Sequence, residues 1–463
     1  MSGQIAKQPY ELMTSSKPKP DVKQALRLTL WFLPFYAILA LHFRNKCYAD
    51  PTSYFFRPSI AYAAPHSTDR IKQAEQYADS FTPSPYGTSR AYNETTTTLS
   101  DSRSPSTTLC VGIPSVRRPR LSYLKTTLAS LHHGIDGNDR QDLTFTVLLA
   151  HTNQSEHPDF GKPWLKGMAD TLMTYGSEND TTYEVAKLME HNGSHEVKSK
   201  FDYALVLKQC LKTNADYVLM LEDDVIFTSS WWEKTKNALE EVKFRSWEMG
   251  YEEFLYLRLF YYERIRGWNS ESWPKYLLAS TCIASAVLTT LLLFQRLQSP
   301  ARSFGFFRGS PIRLHIRLHT ITILLITFVF TPAVIGLYFA AGANCMLPQP
   351  PGVQLMPTYA CCGQALVFSR AVVQNHILPL FHDNQWGSTP VDSLIEEYAD
   401  SRTGNSLEKA KRIGDMRWAI TPVLLQHVGS QSSHGVGRDS GYGNMTPSAL
   451  WNFGFERLER QYI

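Results

Sequence analysis

Three adjacent carboxylates close an apolar run in Tyr217-Val-Leu-Met-Leu-Glu222-Asp223-Asp224. A short aliphatic run of this kind predicts a buried strand. In an open α/β sheet, ligands bind beyond the carboxyl ends of the strands. Acids clustered there repel unless something neutralises them, and a hard divalent cation bridging to a diphosphate does so. If the diphosphate belongs to a nucleotide-sugar, the cation offsets charge on the leaving group, which is Lewis-acid catalysis. A second pattern is Gly112-Ile113-Pro114-Ser115-Val116-Arg117-Arg118. Its backbone amides and two arginines could meet a nucleotide. A third, Leu424-Leu425-Gln426-His427-Val428-Gly429, puts an imidazole after an extended run. A neutral imidazole is a metal or phosphate ligand. Each pattern alone has a plainer reading: a solvated acidic turn, a basic surface turn, a structural histidine.

The elements that must position these residues alternate. TLCVGIPS predicts a strand running into a turn, and LSYLKTTLASLHH an amphipathic helix. DLTFTVLLAH is a second strand, FDYALVLKQCLKTN a helix, and YVLMLEDD a third strand, followed by a helix rich in Trp, Lys and Glu. Downstream come the strand YACCGQALVFS, the short helix VDSLIEEYAD and the extended run RWAITPVLLQHVG. Strands alternating with helices predict an α/β layer with a mostly parallel sheet.

Whole-chain averages hide a different kind of segment. The 463 residues carry a net charge of +4 and 19% charged residues, with a mean hydropathy of -0.24. These values exclude a disulfide scaffold, a collagen-like chain and a wholly disordered one. The charge excess is too small and diffuse for nucleic-acid binding. Yet 25–43, 276–294 and 318–341 are apolar stretches long enough to cross a bilayer. The first reads as a signal-anchor, because 24 residues precede it and no cleavage site is placed to remove it. Lys7, Lys17, Lys19 and Lys23 lie before it, and the 295–317 link carries five arginines and no acid. Positive-inside bias puts both on the cytosolic side. Residues 44–275 and 342–463 then share the luminal side.

The expected organisation is a cytosolic tail (1–24), a first span (25–43), a luminal stem (44–107), a first catalytic part (108–275), a second span (276–294), a basic cytosolic link (295–317), a third span (318–341) and a second catalytic part (342–463). The stem includes the Ser/Thr-rich stretch 95–108, which lacks the apolar residues to fold. Neither catalytic part alone suits a complete domain, whereas their sum suits one α/β domain split by a membrane hairpin; two separate luminal domains are the competing picture. Five N-x-S/T sequons, at Asn93, Asn153, Asn179, Asn192 and Asn444, fall in the luminal parts. Of the luminal cysteines, Cys345, Cys361 and Cys362 are expected to contribute to disulfides because they are close in sequence. Cys110, in an apolar strand, is expected to be a buried thiol.

Taken together, the motifs resemble the glycosyltransferases of the GT-A fold, whose acidic "DXD" motif binds a metal and a nucleotide-sugar. CVGIPSVRRPRLSYLKTTLASL, YVLMLEDDVIF and PVLLQHVGSQSSHG resemble the N-acetylglucosaminyltransferase IV group. The hairpin between the acidic motif and the second catalytic part is foreign to that group. It resembles the post-GPI-attachment N-acetylgalactosaminyltransferases of the Golgi, three-span enzymes in which a hairpin splits a GT-A domain. That likeness includes LRLFYYERIRGW just before the hairpin.

The resemblance implies a Golgi multi-pass enzyme with a cytosolic N-terminus. It would move N-acetylgalactosamine from a UDP donor to the mannose core of GPI-anchored proteins, with inversion and with Mn2+ or another divalent cation. Asp224 would be the principal metal ligand, with Glu222 and Asp223 near the ribose and metal. Ser115, Val116, Arg117 and Arg118 would line the nucleotide, and Gly363 and Gln364 would approach the donor sugar. Asp392 would be the general base, although a helix N-cap is the plainer role for it. His427 would touch the metal or a phosphate. Membrane lipid is an implied partner, while no protein partner is implied. A UDP-sugar transferase acting on N-glycans and a non-catalytic GPI-binding trafficking receptor are the alternatives.

Overall fold

The computed structural model describes residues 20–80, 107–118, 121–178, 180–192, 195–297, 318–357, 363–382, 387–401, 412–429, 448 and 450–458. Two units divide the chain. One holds the apolar helices and residues 52–56; the other comprises 49–51, 57–267 and 347–463.

Among the described residues the second unit has ten strands: β1 (Leu109–Ser115), β2 (Leu143–Leu149), β3 (Thr171–Met173), β4 (Tyr217–Leu221), β5 (Val225–Phe227), β6 (Tyr256–Arg258), β7 (Gly352–Leu355), β8 (Ala365–Ser369), β9 (Arg417–Thr421) and β10 (Leu425–His427). Eight of them form a sheet of order β3-β2-β1-β4-β8-β6-β9-β7. β1 runs parallel to β2 and β4, β2 to β3 and β6 to β9, whereas β8 and β7 run antiparallel to their neighbours. β1 and β4 read as near-continuous aliphatic runs because helices cover both faces of the sheet. One face packs Leu128, Phe145, Val147 and Trp418, the other Val206, Leu207, Val218 and Ile395. The architecture is a mixed α/β fold whose sheet takes β7 to β9 from the chain beyond the apolar hairpin.

Two expectations are corrected in this unit. Cys110 is not a free thiol: it is disulfide-bonded to Cys210 in the helix His195–Leu211. β1 and this helix approach closely, since a Cβ at Gly112 would lie 2.4 Å from Val206 Cγ1. The 44–107 stretch is not all stem either. Pro65–Ser80 forms a helix that buries His66, Ser67, Arg70, Ala74 and Ala78 against the α/β unit. The buried Arg70 guanidinium donates from Nε to the Phe227 carbonyl at 2.8 Å. The buried face mixes polar residues with small alanines, beside Ile71 and Tyr77, so the apolar periodicity of the helix is weak. Residues 95–106, like Cys361, Cys362, Asn93, Asn179 and Asn444, lie outside the described residues. Asn153 and Asn192 are both exposed.

Among the described residues, three helices are long and apolar enough to cross a membrane: Pro20–Lys46, Glu263–Leu297, whose part from Trp268 on belongs to the first unit, and Thr320–Ala340. The chain is a multi-pass membrane protein. Phe32 stacks on Phe330 with centroids 4.0 Å apart. Gln24 Oε1 accepts from the His319 amide at 3.2 Å and from Thr322 Oγ1 at 3.0 Å. The third span switches to π-helix at Ile326–Phe330, immediately before Pro332. A proline cannot donate to the preceding turn and its ring crowds that turn's carbonyl, so a wider turn accommodates it. Cys47, just past the first helix, is disulfide-bonded to Cys345, just past the third. Cys345 thus bridges across a sequence separation of 298 residues rather than to its near neighbours. Cys282, within the second span, is a free thiol.

Candidate active site

At the end of β4 the ladder continues by one bond, Glu222 N–H to the Gln364 carbonyl at 3.2 Å, before the chain turns. Thr127, in the helix Leu124–His132, holds this turn from below: its hydroxyl contacts the carbonyls of Asp223 and Val225 at 2.7 and 2.8 Å and accepts from the Val225 amide at 3.2 Å. The chain then enters β5, which pairs antiparallel with β10 so that His427 lies opposite Val225. That register brings a histidine from the far end of the sequence beside Asp224. The Val428 amide donates to the Asp224 carbonyl at 2.9 Å. Gly429 is required here, because a Cβ would stand 1.8 Å from Asp224 Oδ2.

The three neighbouring acids receive three different environments. Asp223 turns toward β1, where Ser115 Oγ donates to its Oδ2 at 2.5 Å and Arg118 Nη2 reaches its Oδ1 at 2.5 Å. Asp224 faces Arg118 Nη1 at 3.0 Å and His427 Nε2 at 3.3 Å. Glu222 is the most accessible: its side chain is 43% exposed against 2% for Asp224, and its Oε2 lies 3.7 Å from His427 Nε2. Gln364 Nε2 donates to Glu222 Oε1 at 3.0 Å.

The charges shift accordingly. Confinement in the cleft wall raises the Glu222 carboxyl to about 7, and the Asp224 charge adds to this against the pull of His427. Burial also acts to raise Asp224, but the His427 and Arg118 charges outweigh it and hold its carboxyl below the ordinary range. His427 rises in return: burial opposes its charge, and Asp224 more than offsets that. Arg118 is likewise held protonated by Asp223 and Asp224 despite its burial.

Glu222, Asp224 and His427 can each offer one ligand atom, all within 4.8 Å of one another. Two carboxylates and an imidazole are a donor set for a divalent cation. Two further features fit such an ion. Asp224 Oδ1 is buried with no hydrogen-bond partner, and His427 Nδ1 is engaged by Ser448 Oγ at 2.5 Å, which orients the ring so that Nε2 meets the acids.

A cavity of about 520 Å³ opens over this cluster. Val116, Arg117, Arg118, the three acids and His427 line it, as do Gly363, Gln364 and Asp392 from beyond the hairpin. Gly363 and Asp392 are adjacent: a Cβ on Gly363 would sit 3.4 Å from that of Asp392. Asp392 is not an N-cap. Pro390 occupies that position, and Asp392 stands in the first turn of the helix Val391–Asp400. Its Oδ1 accepts from the Ser393 amide at 2.8 Å.

Ser115 departs from expectation, being buried behind the cavity wall, where it links Asp223 to His157 Nε2 at 3.0 Å. Sequence reasoning also passed over His151, whose Nε2 accepts from the Arg117 amide at 2.7 Å, as well as His157, Ser448, Lys198 and Tyr203. Burial lowers both His151 and His157, and Lys198 lowers His151 further, so both rings are neutral near pH 7. Tyr203 sits in the cavity wall, and burial, aided by the Glu222 and Asp392 charges, keeps its hydroxyl protonated. A histidine after a strand was a legible signal, and His151 follows β2 as His427 ends β10. Ser448 and Tyr203 carried none.

Residues 109–407 match the family described as GPI-N-acetylgalactosamine transferase PGAP4. No curated protein and no solved structure matches the chain. The matched range runs from β1 through the apolar hairpin to the Val391–Asp400 helix, and stops short of His427. More than half of the sequence, with both carboxylate-bearing walls of the cavity, falls within that range, and the chain belongs to the GPI-N-acetylgalactosamine transferase family.

Proposed function

We propose that the chain is a Golgi enzyme that transfers N-acetylgalactosamine from UDP-N-acetylgalactosamine to the mannose core of GPI anchors, with a divalent cation and with inversion. The observation that carries this reading is one cavity holding both a metal-type donor set, Glu222, Asp224 and His427, and a separate carboxylate, Asp392. When bound, the cation supplies Lewis-acid neutralisation of the donor's diphosphate. Arg117, exposed at the rim, adds positive charge for the phosphates. Arg118 is committed to Asp223 and Asp224, so it holds the acidic turn in shape.

Asp392 takes the proton from the attacking acceptor hydroxyl, and the oxygen then attacks the anomeric carbon from the face opposite the leaving UDP. In the Golgi, the sequons and disulfides would lie on the oxidising luminal side. The Cys47–Cys345 bond supports that topology, since it joins the chain just past the first and third helices.

The test is a panel of UDP-sugars supplied with Mn2+ to the purified full-length protein, wild type against Asp224→Ala. Turnover of UDP-N-acetylgalactosamine in preference to UDP-galactose and UDP-N-acetylglucosamine, lost in the variant, is expected. Preference for another donor, or equal turnover after chelation, would overturn the donor or metal part respectively.

A further inference from the structure

Beneath the cavity, the helix that carries Asp392 is held by a charge cluster that takes no part in the chemistry above. Glu396 lies one turn after Asp392, and Asp400 one turn further, on the same stripe of the Val391–Asp400 helix. Glu396 Oε1 receives Arg258 Nη2 at 3.1 Å and the Tyr256 hydroxyl at 2.5 Å. Its Oε2 receives Arg417 Nη1 at 2.7 Å, while Arg417 Nη2 reaches Asp400 at 2.6 Å. Arg258 Nη2 also donates to the Tyr256 hydroxyl.

Both arginines are buried, Arg258 to 1% and Arg417 to 4% exposure. Each comes from the sheet: Arg258 ends β6 and Arg417 opens β9. Two cations and two carboxylates balance here, with Asp400 at the solvent edge and Glu396 between the two buried arginines, unlike the acids above.

The cluster also connects the two sides of the cavity. Arg258 pairs with Leu366 of β8, and Leu366 with Met220 of β4. One residue on, Ala365 pairs with Leu221, next to Gln364 and Glu222. A continuous path of ion pair and sheet ladder therefore runs from the Asp392 helix to the acidic turn. The helix is also anchored by Leu394, Ile395 and Ala399 in the apolar core and by the Tyr398 hydroxyl against His376 Nδ1 at 2.6 Å, while Glu396 is its tie to the sheet arginines on both β6 and β9.

We propose that Glu396, gripped by Arg258 and Arg417, is a positioning residue that sets the distance between Asp392 and the Glu222–Asp224–His427 cluster. This rests on Asp392 being the base. A base misplaced by about 1 Å can cost about 10²-fold in rate while leaving donor binding intact.

The experiment is a double-mutant cycle on the full-length protein, measuring kcat and donor KM for transfer in the presence of Mn2+. Glu396→Gln keeps the shape and one acceptor oxygen but removes the charge. It is expected to lower kcat by about 10- to 100-fold with donor KM changed by less than about 2-fold. In an Asp392→Asn background the same change is expected to alter the residual rate by less than about 2-fold, because the group it positions is gone. Tyr256→Phe, which removes the hydroxyl's two hydrogen bonds, to Glu396 and from Arg258, and no charge, guards against misfolding of the first variant and should lower kcat by about 2- to 5-fold.

Equal losses from Glu396→Gln with and without Asp392, or a raised donor KM at unchanged kcat, would reduce Glu396 to a structural residue and overturn the inference. If Asp392→Asn itself kept the wild-type rate, the assignment of the base would fall first and this inference with it. A crippled Asp392→Asn beside a fully active Glu396→Gln would remove the positioning role alone.

Discussion

The acidic turn after β4 and the cluster beneath the Asp392 helix use similar side chains to opposite ends. In the cluster, Glu396 meets the buried Arg258 and Arg417, and Asp400 at the exposed end of the helix takes the second arm of Arg417, so each charge has a partner. At the turn, Glu222, Asp223 and Asp224 share Arg118 and His427, and Asp224 Oδ1 has no hydrogen-bond partner. A balanced buried group holds parts together; an unbalanced one bordering a cavity leaves room for a charged ligand. The difference separates scaffold from site more sharply than burial does, because both contain almost fully buried charges.

The comparison can be broken by substitution on each side. Asp224→Asn should reduce transfer by at least about 10³-fold, since the proposed metal role and the carboxylate charge would be lost together. Its stability without metal should change far less, because Arg118 keeps Asp223 and His427 keeps Glu222 as partners. Kinetics and thermal melting of the same preparation check both halves. Asp392→Asn should lower kcat by about 10²- to 10⁴-fold with UDP affinity unchanged, as isothermal titration would show.

On the scaffold side, Glu396→Leu should cost about 3–5 kcal/mol in stability, because two buried arginines lose their shared partner. A chemical-denaturation midpoint close to wild type would erase the distinction drawn between the two regions.

The smallest effect is a pH dependence. The pairing of His427 with Asp224 raises the imidazole above its usual 6.5, so its contribution is full below that pH and is lost as pH rises through the raised value. Asp224 is depressed below 3.8, so its share is present above that pH and lost only as pH falls through the depressed value. In chelator, melting temperature should therefore fall as pH rises from about 6 to about 8.5, and less so for His427→Gln. Mn2+ should cancel the fall, because a metal takes the neutral imidazole and its affinity grows with pH. A flat profile in chelator would argue that the turn is as balanced as the cluster.

Much of this was open to a reader of the chain. The aliphatic run ending in Glu222-Asp223-Asp224, the three apolar spans and the strand–helix alternation all rest on local pattern, which depends on neighbours within a few residues. The helix Pro65–Ser80 escaped because its buried face mixes polar Ser67 and Arg70, which dock through hydrogen bonds, with the small Ala74 and Ala78, leaving only a weak apolar stripe. The Cys110–Cys210 bond escaped because a half-cystine in an aliphatic strand looks like any buried thiol, and its partner is 100 residues away. The family resemblance implied a nucleotide contact for Ser115, yet at the end of β1 its side chain turns behind the wall to Asp223.

By itself the sequence determined which residues carry charge, where the chain is apolar enough to span a membrane, and that strands end in acids and arginines. Only the tertiary structure decided that His427 stands against Asp224, that Asp392 and Gly363 share a cavity with Glu222, and that Glu396 is gripped by two buried arginines. The physical reason is range. Propensity and periodicity act over a turn or a strand, whereas the neutralisation of a buried charge depends on whatever the fold brings within a few ångströms.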